Sequence, residues 1–145
     1  MGQVRRLTVH HTGANTRALG LSDLQAVQRI ETYHRDERGW ACVGYHFLIG
    51  DDGLIYEGRP LAMQGAHVRD ANEGNIGISC IGVFDQELPS PAQLRSLSWL
   101  LGRLRQHIGL SAQTVYGHRD LSPSTCPGDA LYAWLQEHHF GQALG

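Results

Sequence analysis

A chain of 145 residues, 41% hydrophobic and 18% charged, has the size and composition of one globular domain, residues 1–145, built on one buried core. A net charge of -2 without any Lys/Arg run excludes the electrostatic footprint of a general nucleic-acid binder. Arg5 and Arg6 precede no apolar leader and no stretch approaches membrane-spanning length, so the expectation is a product made in the cytoplasm without a signal peptide and with no membrane partner.

In residues 6–10, Leu7 and Val9 alternate with Arg6, Thr8 and His10, which predicts a half-buried strand whose polar face ends in His10. Ser22 is an N-cap for a helix over 23–38, where Leu24, Val27, Ile30 and His34 recur at helical spacing and Gly39 suits the stop. Residues 43–49 and 54–57 are β-branched and aromatic runs joined by Gly50-Asp51-Asp52-Gly53, which reads as a hairpin. Residues 60–74 show no period and predict a long surface loop. The nearly continuous apolar run 76–84 predicts the middle strand of a sheet covered on both faces. Ser90 and Pro91 start a helix over 92–107, with Leu94, Leu97, Leu100, Leu101 and Leu104 in one stripe. A short strand at 114–116 delivers Gly117 and His118, and 128–138 closes the chain as a helix with Leu131, Trp134 and Leu135 inward. The order is that of an α/β domain without repeat or linker.

Nine histidines and three cysteines, Cys42, Cys80 and Cys126, carry the candidate chemistry. An odd number of widely spaced cysteines argues against a disulfide framework and leaves burial or metal ligation. Cys42 and Cys80 sit in predicted strands without ligand-like neighbours and read as buried, reduced thiols. His10 ends a strand, while His118 and Cys126 bracket the loop between them. Two imidazoles and a thiolate suit zinc and leave a fourth tetrahedral position for water, the arrangement of a catalytic site. His118 and Cys126 lie too far apart for one helical turn, and His10 must arrive through the fold, so these residues alone leave open a buried cysteine among surface histidines.

Six motifs occur in order: His10-His11-Thr12-Gly13, Gly44-Tyr45-His46-Phe47-Leu48-Ile49, Tyr56-Glu57-Gly58-Arg59, Gly65-Ala66-His67, Asn75-Ile76-Gly77-Ile78, and Gly117-His118-Arg119-Asp120 through Thr125-Cys126-Pro127-Gly128. As an ordered set covering nearly the whole chain, they resemble the zinc-dependent N-acetylmuramoyl-L-alanine amidases, which include bacteriophage lysozyme-type amidases and peptidoglycan recognition proteins. The resemblance implies a central mixed β-sheet flanked by helices, with one zinc ion at the base of a groove. It implies His10, His118 and Cys126 as the zinc ligands, the first histidine of the pair rather than His11. Tyr45 matches the tyrosine beside the metal water; sharing a strand face with Val43, Phe47 and Ile49, it also reads as a core tyrosine. Ser124 stands where relatives carry a Lys or Thr that polarises the scissile carbonyl, and it brings one hydrogen bond but no charge. His67, Asn72 and Thr12 match positions that line the substrate groove, His67 having a solvent-facing loop residue as its other reading. His34 reads as a packed histidine, and Arg59 and Asp120 as structural pairing residues.

The implied activity is hydrolysis of the amide between N-acetylmuramic acid and L-alanine of peptidoglycan, by a monomer acting as a phage or prophage endolysin after release or delivery to the wall. The alternative is a non-catalytic peptidoglycan-binding module, the form taken by recognition proteins that lose the ligand cysteine; Cys126 favours the hydrolase. The recycling amidases that act on anhydro-muropeptides typically carry Asp where Cys126 stands.

Overall fold

The computed structural model describes residues 1–40 and 42–139; the C-terminal limit expected for the domain, residue 145, lies outside them. The elements are β1 (Arg6–His11), α1 (Asp23–Asp36), β2 (Phe47–Ile49), β3 (Ile55–Glu57), β4 (Asn75–Cys80), α2 (Pro91–Ile108), β5 (Val115–Gly117) and α3 (Asp129–His138), with single 3₁₀ turns at Ala112–Thr114 and His118–Asp120. The sheet runs β3-β2-β4-β1-β5. β4 lies parallel to both β1 and β2, β1 is parallel to β5, and β2 and β3 form the antiparallel hairpin, so the sheet is mixed and β4 is central. No helix among the described residues is long and apolar enough to cross a membrane.

One sheet face carries Leu7, Val9, Ile76 and Ile78 against Leu97, Leu101 and Leu104 of α2 and Leu131 and Leu135 of α3. A smaller cluster joins Ala26, Val27 and Ile30 of α1 to Val43, Leu48 and Ile81. The expectation that β1 is half-buried is therefore corrected: residues 7–11 are all buried, because the face with Thr8 and His10 is covered by the segment between β3 and β4. That segment, predicted as a surface loop, dips inward at Gly65, His67 and Val68. Cys80 is fully buried, whereas Cys42 is half-buried and outside any strand, a further correction.

Local chemistry sets the element ends. α1 opens with a capping box in which Ser22 Oγ accepts from Gln25 N and Gln25 Oε1 accepts from Ser22 N. It stops at Asp36, before the expected 38, as the chain turns through Gly39 at φ +67. Ser90 caps α2 and Pro91 occupies its first position. β2 starts later than predicted because Gly44 N donates to His34 Nδ1 and Gly44 O accepts from Ala66 N, bonds made outside a strand ladder. β4 ends at Cys80, not 84: Gly82 N donates to Thr12 Oγ1 and Phe84 N to His11 Nδ1, which draws the chain out of the sheet.

Candidate metal centre

β1 and β5 are parallel neighbours, so both point their carboxyl ends to one edge of the sheet, the edge where open α/β sheets hold ligands. His10 sits near the end of β1 and His118 directly follows β5. The chain then loops back: Arg119 N donates to Cys126 O at 3.1 Å, and Ser124 Oγ accepts from Cys126 N at 3.0 Å. Asp120 accepts from Gly117 N at 2.8 Å and from the Tyr132 hydroxyl. The Arg119 guanidinium lies 4.6 Å from the centre of the Tyr132 ring, pairs with Asp129 at 2.9 Å and donates to Thr125 O. This clamp closes the loop so that Cys126 Sγ arrives beside β1, accepting from His11 N at 3.4 Å.

The loop thereby brings His10, His118 and Cys126 together, one ligand atom of each lying within 4.8 Å of the others. Cys126 Sγ is 3.6 Å from His10 Nδ1. Zinc bonds to sulfur and nitrogen at tetrahedral angles set that edge at about 3.5 Å, so the pair fits such an ion. Burial, then His67 and His118, holds His10 well below the ordinary histidine value, and burial also lowers His118. Both rings are neutral at neutral pH and offer lone pairs. Burial pushes the Cys126 thiol up to about 12 against the opposing pull of the His11 backbone and Arg119. Two neutral imidazoles and a thiol whose anion needs a positive partner form a donor set that a divalent cation completes. His11 faces away and accepts from Phe84 N at 3.2 Å through Nδ1.

Tyr45 stands over this cluster, its ring centre 5.1 Å from that of His10. Burial, then Cys126, pushes its phenol up to about 12, so it keeps its proton. Tyr45 also walls a cavity of about 290 Å³ with Thr12, Ala14, Ile30, Tyr33 and His34. Thr12 exchanges hydrogen bonds with Gly82 N and O, so its hydroxyl anchors the loop after β1. His67 is not the solvent-facing loop residue of its other reading: it is 8% exposed and lies beside His10, with Nδ1 2.9 Å from His10 Nε2. Asn72 is also occupied, its Oδ1 accepting from His67 N and Val68 N at 2.9 and 2.8 Å. His34 is packed against Trp40, and Arg59 pairs with the carbonyls of Val43, Cys42 and Gln64 rather than with an acid.

Sequence reasoning missed two supports. Buried His46 accepts from Gly77 N through Nδ1 and reaches Met63 O through Nε2, tying β4 to the covering segment; its place next to Tyr45 was the only signal. Of the Arg119–Tyr132–Asp120 clamp only Asp120 was read, as a pairing residue; its partner Tyr132 gave no signal, since α3 meets the loop only in the folded chain.

A family model described as N-acetylmuramoyl-L-alanine amidase matches residues 1–129. The pig protein N-acetylmuramoyl-L-alanine amidase is 39% identical over 137 residues, covering 90% of this chain but 22% of its own length. Peptidoglycan-recognition protein SC2 of Drosophila melanogaster is 37% identical over 126 residues, 86% of this chain and 68% of that protein. Among solved structures, Drosophila peptidoglycan recognition protein SD superposes with TM-score 0.83 at 28% identity, over 96% of this chain and 83% of that one. The amidase LysC from Clostridium intestinale superposes with TM-score 0.80 at 29% identity, over 95% and 87%. This chain thus spans about a fifth of the pig relative and about two thirds of the fly one. With the fold shared along nearly its whole length and the match running from β1 to the start of α3, the chain belongs to the N-acetylmuramoyl-L-alanine amidase family.

Proposed function

We propose that this protein is a zinc-dependent hydrolase that cleaves the amide between N-acetylmuramic acid and the L-alanine of the peptidoglycan stem peptide. The observation that carries the reading is the convergence of His10, His118 and Cys126 beside a cavity walled by Tyr45. Relatives named as amidases of this bond and relatives named for recognising peptidoglycan share the fold, which supports peptidoglycan as the substrate.

Zinc bound by these three residues supplies an acidified water and an electrophile for the scissile carbonyl. The remaining work falls to the chain itself. The loop clamp and the β1 backbone hold the donors in place, and the cavity that shares the Tyr45 wall offers room for a small group next to the amide. Tyr45 keeps its proton at neutral pH and donates a hydrogen bond to the carbonyl oxygen as charge develops there. Ser124 Oγ already accepts from Cys126 N, which leaves its own hydroxyl proton to donate toward the same oxygen. It adds no positive charge, so the side-chain donors to that oxygen are two neutral hydroxyls, Tyr45 and Ser124. The same reading makes the protein a bacteriolytic endolysin of phage or prophage origin, acting as a monomer after release or delivery to the wall. Endolysin amidase LysCS from Clostridium intestinale, with TM-score 0.80 and 29% identity, supports that role.

The test is incubation of the protein with purified peptidoglycan, with and without a chelator, alongside Cys126→Ser, with the products read by mass spectrometry. Stem peptides beginning in L-alanine are expected, absent with the chelator, restored by zinc and missing in the variant. Sugar-only fragments would make it a glycosidase. Stoichiometric zinc and retained peptidoglycan binding without any release would make it a recognition module.

A further inference from the structure

We propose that His67 is a positioning residue that fixes the tautomer of His10 and aims its Nδ1 lone pair at the metal; this rests on the zinc reading above. His67 Nε2 lies 3.0 Å from the main-chain oxygen of Asn75. A carbonyl only accepts, so the proton of the neutral His67 ring is on Nε2 and its Nδ1 is left as an acceptor. That Nδ1 is 2.9 Å from His10 Nε2, which must therefore carry the His10 proton. The bare nitrogen of His10 is then Nδ1, the atom 3.6 Å from Cys126 Sγ. A single backbone carbonyl thus sets the proton positions of two rings in series.

The surroundings hold this relay in one orientation. A Cβ on Gly77 would lie 2.6 Å from His67 Cδ2, and one on Gly65 2.5 Å from the same atom, so two glycines form the walls of a slot for the ring. Asn72 Oδ1 holds the His67 backbone from below. Asn75, whose carbonyl begins the chain, is tied by its side chain to Ala71 O at 2.8 Å and to the Thr8 hydroxyl at 2.7 Å. Metal-ligating histidines commonly pass their second N–H to a carboxylate, a carbonyl or water. Here the acceptor is a third, neutral imidazole, which orients the ligand without adding negative charge, so of the three described donors Cys126 alone brings an anion.

The test reads His10 directly. Long-range proton–nitrogen NMR on the full chain, metal-free and zinc-loaded, assigns the ring tautomer, while chelator competition gives the zinc Kd of wild type, His67→Asn and His67→Leu. Asparagine puts an acceptor oxygen where Nδ1 was; leucine fills the slot without one. The expected result is a proton on His10 Nε2 in the wild type, a Kd about 10- to 100-fold weaker in a folded His67→Leu, and a Kd within a few-fold of wild type in His67→Asn. A wild-type His10 protonated on Nδ1 overturns the proposal, as does a folded leucine variant that binds zinc as tightly as wild type. If the leucine variant does not fold, the wild-type tautomer decides. A wild type that takes no zinc yet shows the Nε2 proton removes the hydrolase reading and leaves the relay standing.

Discussion

On the proposed reading Tyr45 and Ser124 offer two neutral hydroxyls to one developing oxyanion. The phenol is raised to about 12 by burial and then by Cys126, so across pH 6–9 it remains a donor and its titration does not shape the rate. Tyr45→Phe keeps the packing and deletes that single donor. The expected outcome is a kcat on soluble muropeptide lower by about 10²- to 10³-fold, the range for one lost oxyanion donor, with KM and zinc Kd within a few-fold. A kcat within threefold of wild type would return Tyr45 to the role of core aromatic. At this scale the residues alone left a buried cysteine among surface histidines open; the resemblance singled out His10, His118 and Cys126, and the fold brings these three donors together. The burial of His67 against His10 was not legible, because nothing local distinguishes an exposed loop histidine from one folded inward. Its neighbours Gly65 and Gly77 record the slot, but Gly77 is ten residues away, and the close approach exists only once β4 has paired with β1.

Elements were read well where the sequence itself satisfies the backbone. Ser22 with Gln25 and Ser90 with Pro91 announce the starts of α1 and α2 in their own side chains, and the apolar run at 76–84 marks the central strand. Ends governed by distant partners were less legible: Gly44 turns to His34 and Ala66, and Gly82 to Thr12. Glycine positions make a paired prediction at this scale. Gly128, the residue before α3, sits at φ +92, and a Cβ there would meet Phe84 C and O at 2.3 Å. Gly128→Ala is expected to lose more than about 1 kcal/mol in urea unfolding, the lower bound for a side chain forced into that backbone region. Because Gly128 N donates to Thr125 O across Cys126, the same variant is expected to weaken zinc binding. Gly102 lies inside α2 with nothing within 4 Å of its Cβ position, so Gly102→Ala should gain about 0.5–1 kcal/mol and leave zinc untouched. Equal effects of the two substitutions would refute the argument from local geometry.

For the molecule as a whole, the histidines decide how the fold responds to acid. His10, His11, His34, His46, His67, His118 and His139 are all held below the ordinary value of 6.5, burial being the first cause in each, and His67 and His139 are lowered to about 4. Between pH 6.5 and 4 the unfolded chain binds protons that the folded one excludes, so stability rises with pH in that window. It is fully present above 6.5 and is lost as pH falls toward the folded values. The metal-free protein should therefore show a Tm that is level above about pH 7 and drops steadily below 6.5. His139 isolates the effect from the metal: it packs beside Trp134 at the end of α3, within 3.2 Å of Ser98 Oγ, and no metal donor touches it. His139→Gln is expected to flatten part of the Tm slope between pH 6.5 and 5 while leaving the zinc Kd at pH 7.5 unchanged. A Tm that stays level from pH 8 to 5 in the wild type would mean that these rings accept protons without leaving their packed positions. The buried imidazole network would then be no obstacle to acid, and the neutral state assigned to His10 and His118 would lose its physical basis.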